Sequence, residues 1–424
     1  MTDKFLCDFR FLLLAAAVAF IYIQMCLFTT QSKYADRLAN AVEAETRCTS
    51  QMRKLIDQIS MQQSRIVDLE EDKKRQDEEY GQMKALVQDL QLKGLQRRMD
   101  KIQTPVAAVV IMACNRADYL ERTIKSILKY QNAVASKYPL FVSQDGSDPQ
   151  VREKALSYDQ LTHMQHLDSK PVQTERPGEL IAYYKIARHY KWALDKLFHE
   201  YKFSRVIILE DDMEIAPDFF DYFEAAAALM EKDKTIMAVS SWNDNGQKQF
   251  VHDPEILYRS DFFPGLGWML TKSTWNELSP KWPKAYWDDW LRLQENHKGR
   301  QFIRPEVCRT YNFGEHVDWK SKDLSYLMED EYIKHFAEIL KNAKPINGAD
   351  AVLKASNVQG DVRVHYKDQP DFERIARQFG VFQEWKDGVP RTAYKGVVVF
   401  RYPPPRRVFL VGPKSFELLG IKSV

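Results

Sequence analysis

Residues 106–113 form an unbroken apolar run between Pro105 and Cys114. A strand with one face in water alternates polar and apolar side chains; a strand without that alternation must be covered on both faces. The run therefore predicts a buried strand of a parallel sheet flanked by helices. The segments downstream repeat the plan. Residues 117–130 carry a helical pattern, and 139–143 read as a second strand ending in Gln144-Asp145-Gly146. Residues 179–201 read as a long helix with Ile186, Tyr190, Leu194 and Leu197 on one face. Residues 205–209 and 236–240 read as strands, and Pro217 is suited to the first turn of an intervening helix. The expected fold class is α/β, a sheet with helices on both faces. Residues 350–424 add strand-like runs at 362–366, 395–402 and 407–411, which predict a small C-terminal subdomain.

Two segments precede this part. Residues 11–28 are apolar except for Gln24, which is long enough for a short transmembrane helix and too long for an ordinary signal-peptide core. Lys4 and Arg10 before the run balance Lys33 and Arg37 after it, so charge does not set the orientation. A ten-residue tail followed by an anchor and a large domain is the layout of a type II membrane protein; a cleaved signal is the alternative. Residues 29–104 are rich in Gln, Glu, Asp, Lys and Arg and poor in Gly and Pro. Leu38, Met52, Leu55, Ile59, Ile66, Leu69, Tyr80, Met83, Val87 and Leu90 fall on a heptad seam, which Gln62, Lys73 and Gln76 interrupt. The segment is expected to be a coiled-coil stem, or else a solitary helical stalk. Cys48 lies on the seam, where a parallel homodimer would bring two copies together. The catalytic part is expected at 105–349, between this stem and the subdomain.

Charge and cysteine usage exclude several classes. Lys and Arg total 61 against 59 Asp and Glu, which gives no electrostatic reason to expect nucleic-acid binding. The five cysteines contain no C-x-x-C pair, so neither a zinc ribbon nor a thioredoxin-like site is expected.

The chemistry concentrates in two short constellations. Glu210-Asp211-Asp212 follows directly on the strand at 205–209. Ligands of open α/β sheets bind outside the carboxyl ends of the strands. Adjacent carboxylates repel one another, and a divalent cation relieves that cost. Oxygen ligands favour Mn²⁺ or Mg²⁺ over zinc. Such a cation bridges diphosphate oxygens and stabilises a departing nucleoside diphosphate. The bland alternative is an acidic turn that starts the Pro217 helix. The second constellation is Trp287-Asp288-Asp289-Trp290. Indole walls hold a carboxylate in place and pack well against sugar rings. An enzyme that inverts an anomeric centre needs one carboxylate base, and Asp288 or Asp289 is that candidate. Arg116, just past the first strand, is placed to meet phosphate or a base; His189, on its helix, is as a rule a structural histidine.

These segments resemble the N-acetylglucosaminyltransferase I family, in its plant-like form. The resemblance rests on Val142-Ser143-Gln144-Asp145, on 183–190, on 209–220 with the acid triplet, on 241–246, on 261–268 and on 281–290, and it covers 105–424. It implies a GT-A fold and a single-pass type II protein of the Golgi membrane. It also implies transfer of GlcNAc from UDP-GlcNAc to the α-1,3 arm of a Man5GlcNAc2 glycan, with inversion and Mn²⁺. By motif match, Asp212 is the metal ligand, and Glu210 and Asp211 contact the donor. Arg116, Asp145 and His189 line the UDP pocket, Trp287 contacts substrate, and Asp288 is the base.

The sequence departs from the family twice. Animal members have a cysteine at the position of Gly146, able to pair with that of Cys114, which here has no such partner. Members also carry roughly twenty further residues after Phe313-Gly314-Glu315-His316, where this chain passes almost directly to Val317-Asp318-Trp319. In the family that stretch includes a loop that folds over the donor, so impaired donor binding is expected. The alternatives are a β-1,2-GlcNAc transferase for another mannose acceptor, such as O-linked mannose, or an inactive stem or scaffold protein.

Overall fold

The structure, a computed structural model, describes residues 3–99, 105–310, 319–347 and 358–422. Two compact units are present, Met1–Gln96 and Arg97–Val424. The first consists of one helix, α1 (Asp3–Met99), whose last residues fall in the second unit. Every side chain described between residues 11 and 81 is exposed, including the seam residues Leu38, Leu55, Ile59, Ile66 and Leu69. The side chains of Met83, Val87 and Leu90 lie outside the described residues.

The second unit is built on an eight-stranded sheet of order β3-β2-β1-β4-β7-β5-β8-β6. Its strands are β1 (Ala108–Ala113), β2 (Leu140–Asp145), β3 (Leu161–His166), β4 (Arg205–Glu210), β5 (Ile236–Ser240), β6 (Leu257–Ser260), β7 (Trp268–Thr271) and β8 (Gln301–Pro305). β1 pairs in parallel with β2 and β4, and β2 with β3. Antiparallel β7 fills the gap between β4 and β5. All six residues of β1 are buried, as the apolar run predicted. One face carries Val109, Ile111, Val142 and Leu209 into a core with α2 (Ala117–Gln131), α3 (Pro149–Leu156) and α5 (Phe219–Lys232). The opposite face meets α4 (Ile181–Asp195): Ser143 of β2 bonds His189, and Phe141 packs on Tyr201 and Phe203 just beyond it.

Two expectations shift in detail. The helix expected over 179–201 starts at Ile181 and widens after Asp195 into a π turn over Lys196–Glu200. Pro217 lies just ahead of α5, whose N-cap is Asp218. β3 and α3 were not singled out in the sequence, although Asp148-Pro149 caps and starts α3.

Three short helices, α6 (Lys272–Leu278), α7 (Trp287–Arg292) and α8 (Gln294–His297), join β7 to β8. α9 (Glu329–Asn342) leads to a second sheet of order β13-β14-β10-β9. Its strands are β9 (Lys344–Ile346), β10 (Val362–His365), β13 (Val397–Arg401) and β14 (Arg407–Val411). A two-stranded ribbon, β11 (Trp385–Lys386) and β12 (Val389–Pro390), and α10 (Gln369–Phe379) complete the segment. The second sheet thus takes its first strand from ahead of residue 350. Asp244 and Asn245, just past β5, tie the first sheet to the C-terminal segment. Asp244 Oδ1 accepts from Arg391 at 2.8 Å, and Asn245 bonds Thr392 Oγ1 and the Phe382 amide. The Trp242–Gly246 turn is therefore a clamp between segments.

Residues 311–318, where the sequence departs from the family pattern, lie outside the described residues; the residues flanking them meet at one carboxylate. Arg309 Nε and Trp319 Nε1 both donate to Asp218 Oδ2, at 3.1 and 2.8 Å. All three side chains are buried. The two flanks of the junction are thus stapled to one carboxylate at the head of α5.

Candidate active site

In the order β3-β2-β1-β4, connections leave β1 to one side for β2 and later reach β4 on the other. The carboxyl ends of β1 and β4 therefore flank a crevice where the strand order reverses. Ala113 and Glu210, the last residues of these strands, stand at its rim. Cys114, Arg116 and the acid triplet follow at once.

The three acids do not converge. Glu210 Oε1 accepts from Tyr190 Oη at 2.8 Å. Burial raises the Glu210 pKa above the ordinary range; the Tyr190 bond opposes this, and Asp212 and Asp211 add to it. Asp211 is buried and bound by Arg116 Nη2, while its main-chain carbonyl accepts from Thr123 Oγ1 at 2.8 Å. Burial also raises the Asp211 pKa, and Arg116 works against that rise. Burial disfavours the Arg116 charge, yet its bond to Asp211 holds its pKa above normal. Asp212 alone points outward: its side chain is 39% exposed and meets Arg116 Nη2 at 3.2 Å. The mutual repulsion expected of the triplet is thus relieved inside the protein by Tyr190 and Arg116, leaving Asp212 the carboxylate most open to a cation.

No group of three potential metal-ligating side chains exists among the described residues. A divalent cation held by one carboxylate together with phosphate oxygens needs none, because such cations are commonly bound through one or two carboxylates plus substrate phosphates. Asp212 fits that role; Glu210 and Asp211, already engaged, do not.

The residues expected around a nucleotide divide between β2, β3 and α4. Asp145, at the end of β2, accepts from His166 Nδ1 at 2.8 Å. His166 stacks on His189, with centroids 5.5 Å apart and planes at 12°. His189 Nε2 lies 2.8 Å from Ser143 Oγ. Burial pushes the His189 pKa down to about 4, so the ring is neutral at physiological pH. Cys114 is exposed, and nearby Gly146 has a φ of 82°.

The Trp287 segment reaches the acid triplet through one side chain. Trp287 stacks on Tyr190 at 4.4 Å, and the Tyr190 hydroxyl is the group that bonds Glu210. Trp268 at 5.6 Å and Trp282 at 5.9 Å also stack on Trp287, their ring planes nearly parallel to its own. Trp268 begins β7 beside Ile208 of β4, so the Pro264–Trp268 loop also lies at this edge of the sheet. Gly267 is obligatory there: a Cβ would lie 2.3 Å from Ser241 Oγ. The two acids of α7 differ. Asp289 is held by Arg292 at 2.7 Å and Lys386 at 2.8 Å, and these cations outweigh burial to keep its pKa low. Asp288 has only Arg292, at 3.1 Å, and its side chain is 44% exposed. Its charge acts on Tyr190, as do those of Glu210 and Asp212. Tyr190, His166 and Ser143 were not singled out in the sequence as site residues. Tyr190 had appeared as an apolar-face residue of its helix and within the 183–190 block of the resemblance, without a role of its own.

The GNT-I family model matches residues 14–317 and 315–423, two stretches that meet at 315–317. A protein of Arabidopsis thaliana named alpha-1,3-mannosyl-glycoprotein 2-beta-N-acetylglucosaminyltransferase is 69% identical over 438 aligned positions, spanning 98% of this chain and 99% of its own. The alignment is longer than the 424-residue chain, so part of that relative faces a gap here. Among solved structures, a mannosyltransferase of Pyrobaculum calidifontis in complex with GDP-Man and Mn²⁺ is 18% identical over 61% of this chain and 72% of its own, with a TM-score of 0.32. S. aureus TarS in complex with UDP-GlcNAc is 15% identical over 65% of this chain and 73% of its own, with a TM-score of 0.33. Matched along almost its whole length by the family model and by a relative of this identity, the chain belongs to the GNT-I family.

Proposed function

We propose that this chain transfers GlcNAc from UDP-GlcNAc, with inversion and in β-1,2 linkage, to the α-1,3-linked mannose of Man5GlcNAc2, opening the synthesis of hybrid and complex N-glycans. The observation that carries this reading is the Trp287–Tyr190–Glu210 chain of contacts, which sets Asp288 beside the acids at the sheet edge. Family membership and the relative's name supply the sugar and the acceptor.

In this mechanism Asp288 accepts the proton of the attacking mannose hydroxyl as that oxygen bonds the anomeric carbon and UDP leaves from the opposite face. Arg292 orients the carboxylate at 3.1 Å without enclosing it. Asp289, paired with two cations, is the poorer base. Glu210 and Asp211 contact the donor, and Arg116, Asp145 and His189 hold its uridine diphosphate. Trp287 forms the wall of the sugar site. Asp212 would hold Mn²⁺, which when bound offsets the charge of the leaving diphosphate.

The reading extends to location and assembly. Residues 11–28 lie in the one helix among the described residues that is long and apolar enough to cross a membrane. They serve as the signal anchor of a type II Golgi protein with its catalytic unit in the lumen. The exposed heptad seam pairs the stems of a homodimer as a coiled coil. Without the donor-covering stretch, UDP-GlcNAc binds more weakly than in the longer relative.

A transfer assay with UDP-GlcNAc, Mn²⁺ and Man5GlcNAc2 tests the proposal. Asp288→Asn should reduce transfer by about 10²-fold or more while sparing UDP–Mn²⁺ binding. Normal transfer by Asp288→Asn would refute the base assignment. A wild-type chain that neither binds UDP-GlcNAc nor transfers would favour the scaffold reading.

A further inference from the structure

The face of α4 that carries Tyr190 continues outward beyond the buried site. Two turns earlier Tyr183 is 43% exposed and stacks on Tyr286, with centroids 4.6 Å apart and planes at 27°. Ile186 and Ile181, beside it on α4, are 42% and 51% exposed. Tyr286 immediately precedes Trp287 and has a φ of 52°, a conformation sterically unfavourable for a residue with a bulky side chain. Residues held in such a conformation cluster at sites that bind something. Adjacent residues 286 and 287 thus stack on residues 183 and 190 of one helix face. In the first stack Tyr183 is exposed and Tyr286 half-buried, whereas the second stack is buried.

Resting on the transferase reading above, we propose that the Tyr183–Tyr286 pair is the platform on which a pyranose ring of the acceptor glycan docks. The pair is continuous with the site, since Tyr286 lies two residues before the candidate base. It also offers what a sugar needs: an exposed aromatic face for the ring's C–H surface, with a charged rim for its hydroxyls. That rim is the exposed ion pair of Lys284 with Glu175, at 2.7 Å. The position separates it from the donor. Seven residues of helix place Tyr183 about 10 Å along the axis from Tyr190, whereas the donor groups Arg116, Glu210 and Asp211 gather at the ends of β1 and β4.

The test is binding of Man5GlcNAc2 to the full chain in detergent, with UDP and Mn²⁺ present, followed by calorimetry. Tyr183→Ala should weaken glycan binding about fivefold or more, the loss expected of one aromatic stacking surface. Tyr183→Phe, which keeps the ring, should restore it, and UDP–Mn²⁺ affinity should be equal in all three proteins. Unchanged glycan affinity in Tyr183→Ala would overturn the proposal. So would an equal loss of UDP affinity, or a change in oligomeric state that marks the patch as a contact between copies. A wild type that binds UDP–Mn²⁺ but no Man5GlcNAc2 overturns the platform and leaves the donor site standing; one that binds neither removes the transferase reading as well.

Discussion

Replacing Tyr190 by Phe removes a single oxygen from the contact that joins the two halves of the candidate site. The ring stays, and with it the 4.4 Å stack on Trp287. What is lost is the 2.8 Å hydrogen bond to Glu210. A hydrogen bond to a charged group contributes about 1.5–3 kcal/mol, and because Glu210 keeps some contact with solvent the lower end applies. If the whole loss fell on donor binding, about 1.5 kcal/mol would weaken UDP-GlcNAc roughly tenfold. The variant also changes the pH dependence in a defined direction. Burial already raises the Glu210 pKa, and the Tyr190 bond is the largest influence holding it down. Without that bond Glu210 takes up a proton at higher pH, so donor binding should fall away at higher pH than in the wild type. Calorimetric titration of UDP-GlcNAc with Mn²⁺ across the acid range measures both effects. Tyr190→Leu, which also deletes the stack, should cost about 0.5–1.5 kcal/mol more. Wild-type affinity and an unmoved acid limb in Tyr190→Phe would refute the argument that Tyr190 positions Glu210.

Other outcomes follow from contacts elsewhere. His189 has a pKa of about 4 in the fold against an ordinary 6.5. The unfolded chain therefore binds the proton first as pH falls, so the stability is fully present above 6.5 and is lost as pH drops toward 4. That amounts to about 3 kcal/mol. Urea midpoints at pH 7 and 4.5 should differ by less in His189→Gln, and an equal difference would assign the slope to other groups. Asp218→Asn leaves Arg309 buried with its charge uncompensated and should destabilise the catalytic unit by about 3–5 kcal/mol. A loss below about 1 kcal/mol in denaturant titration would show that the junction is not stapled there. Inserting after His316 the roughly twenty residues expected there from the family pattern should tighten UDP-GlcNAc binding and lower donor hydrolysis relative to transfer; unchanged values would mean the stretch is dispensable. On non-reducing gels the full chain should run partly as a dimer that Cys48→Ala abolishes, and identical monomer bands would remove the interchain disulfide.

Local pattern carried the central strands. β1 and β4 were legible because a strand covered on both faces cannot alternate, and that constraint is written into consecutive residues. The acid triplet was legible for the same reason, since it abuts a buried strand. β3 was not: Leu-Thr-His-Met-Gln-His sits at the sheet edge with one neighbour and has no apolar run. With β3 went His166, the partner of Asp145 and the stacking surface of His189.

By itself the sequence determined an α/β sheet with acids at a strand end, an apolar N-terminal run and a Trp-flanked pair of carboxylates. Only the tertiary structure decided what each acid can do. Tyr190 bonds Glu210 across 20 residues, Arg116 reaches Asp211 across 95, and Lys386 reaches Asp289 from the C-terminal segment. Periodicity records which face of an element is buried, but it says nothing about which distant side chain arrives there. Local pattern alone therefore did not separate Glu210 and Asp211 from Asp212, nor Asp289 from Asp288; in the sequence only the family resemblance did so, by motif position. In the fold, Asp212 and Asp288 are the members of each set left most open to a ligand, because their neighbours are already bound to side chains from other elements.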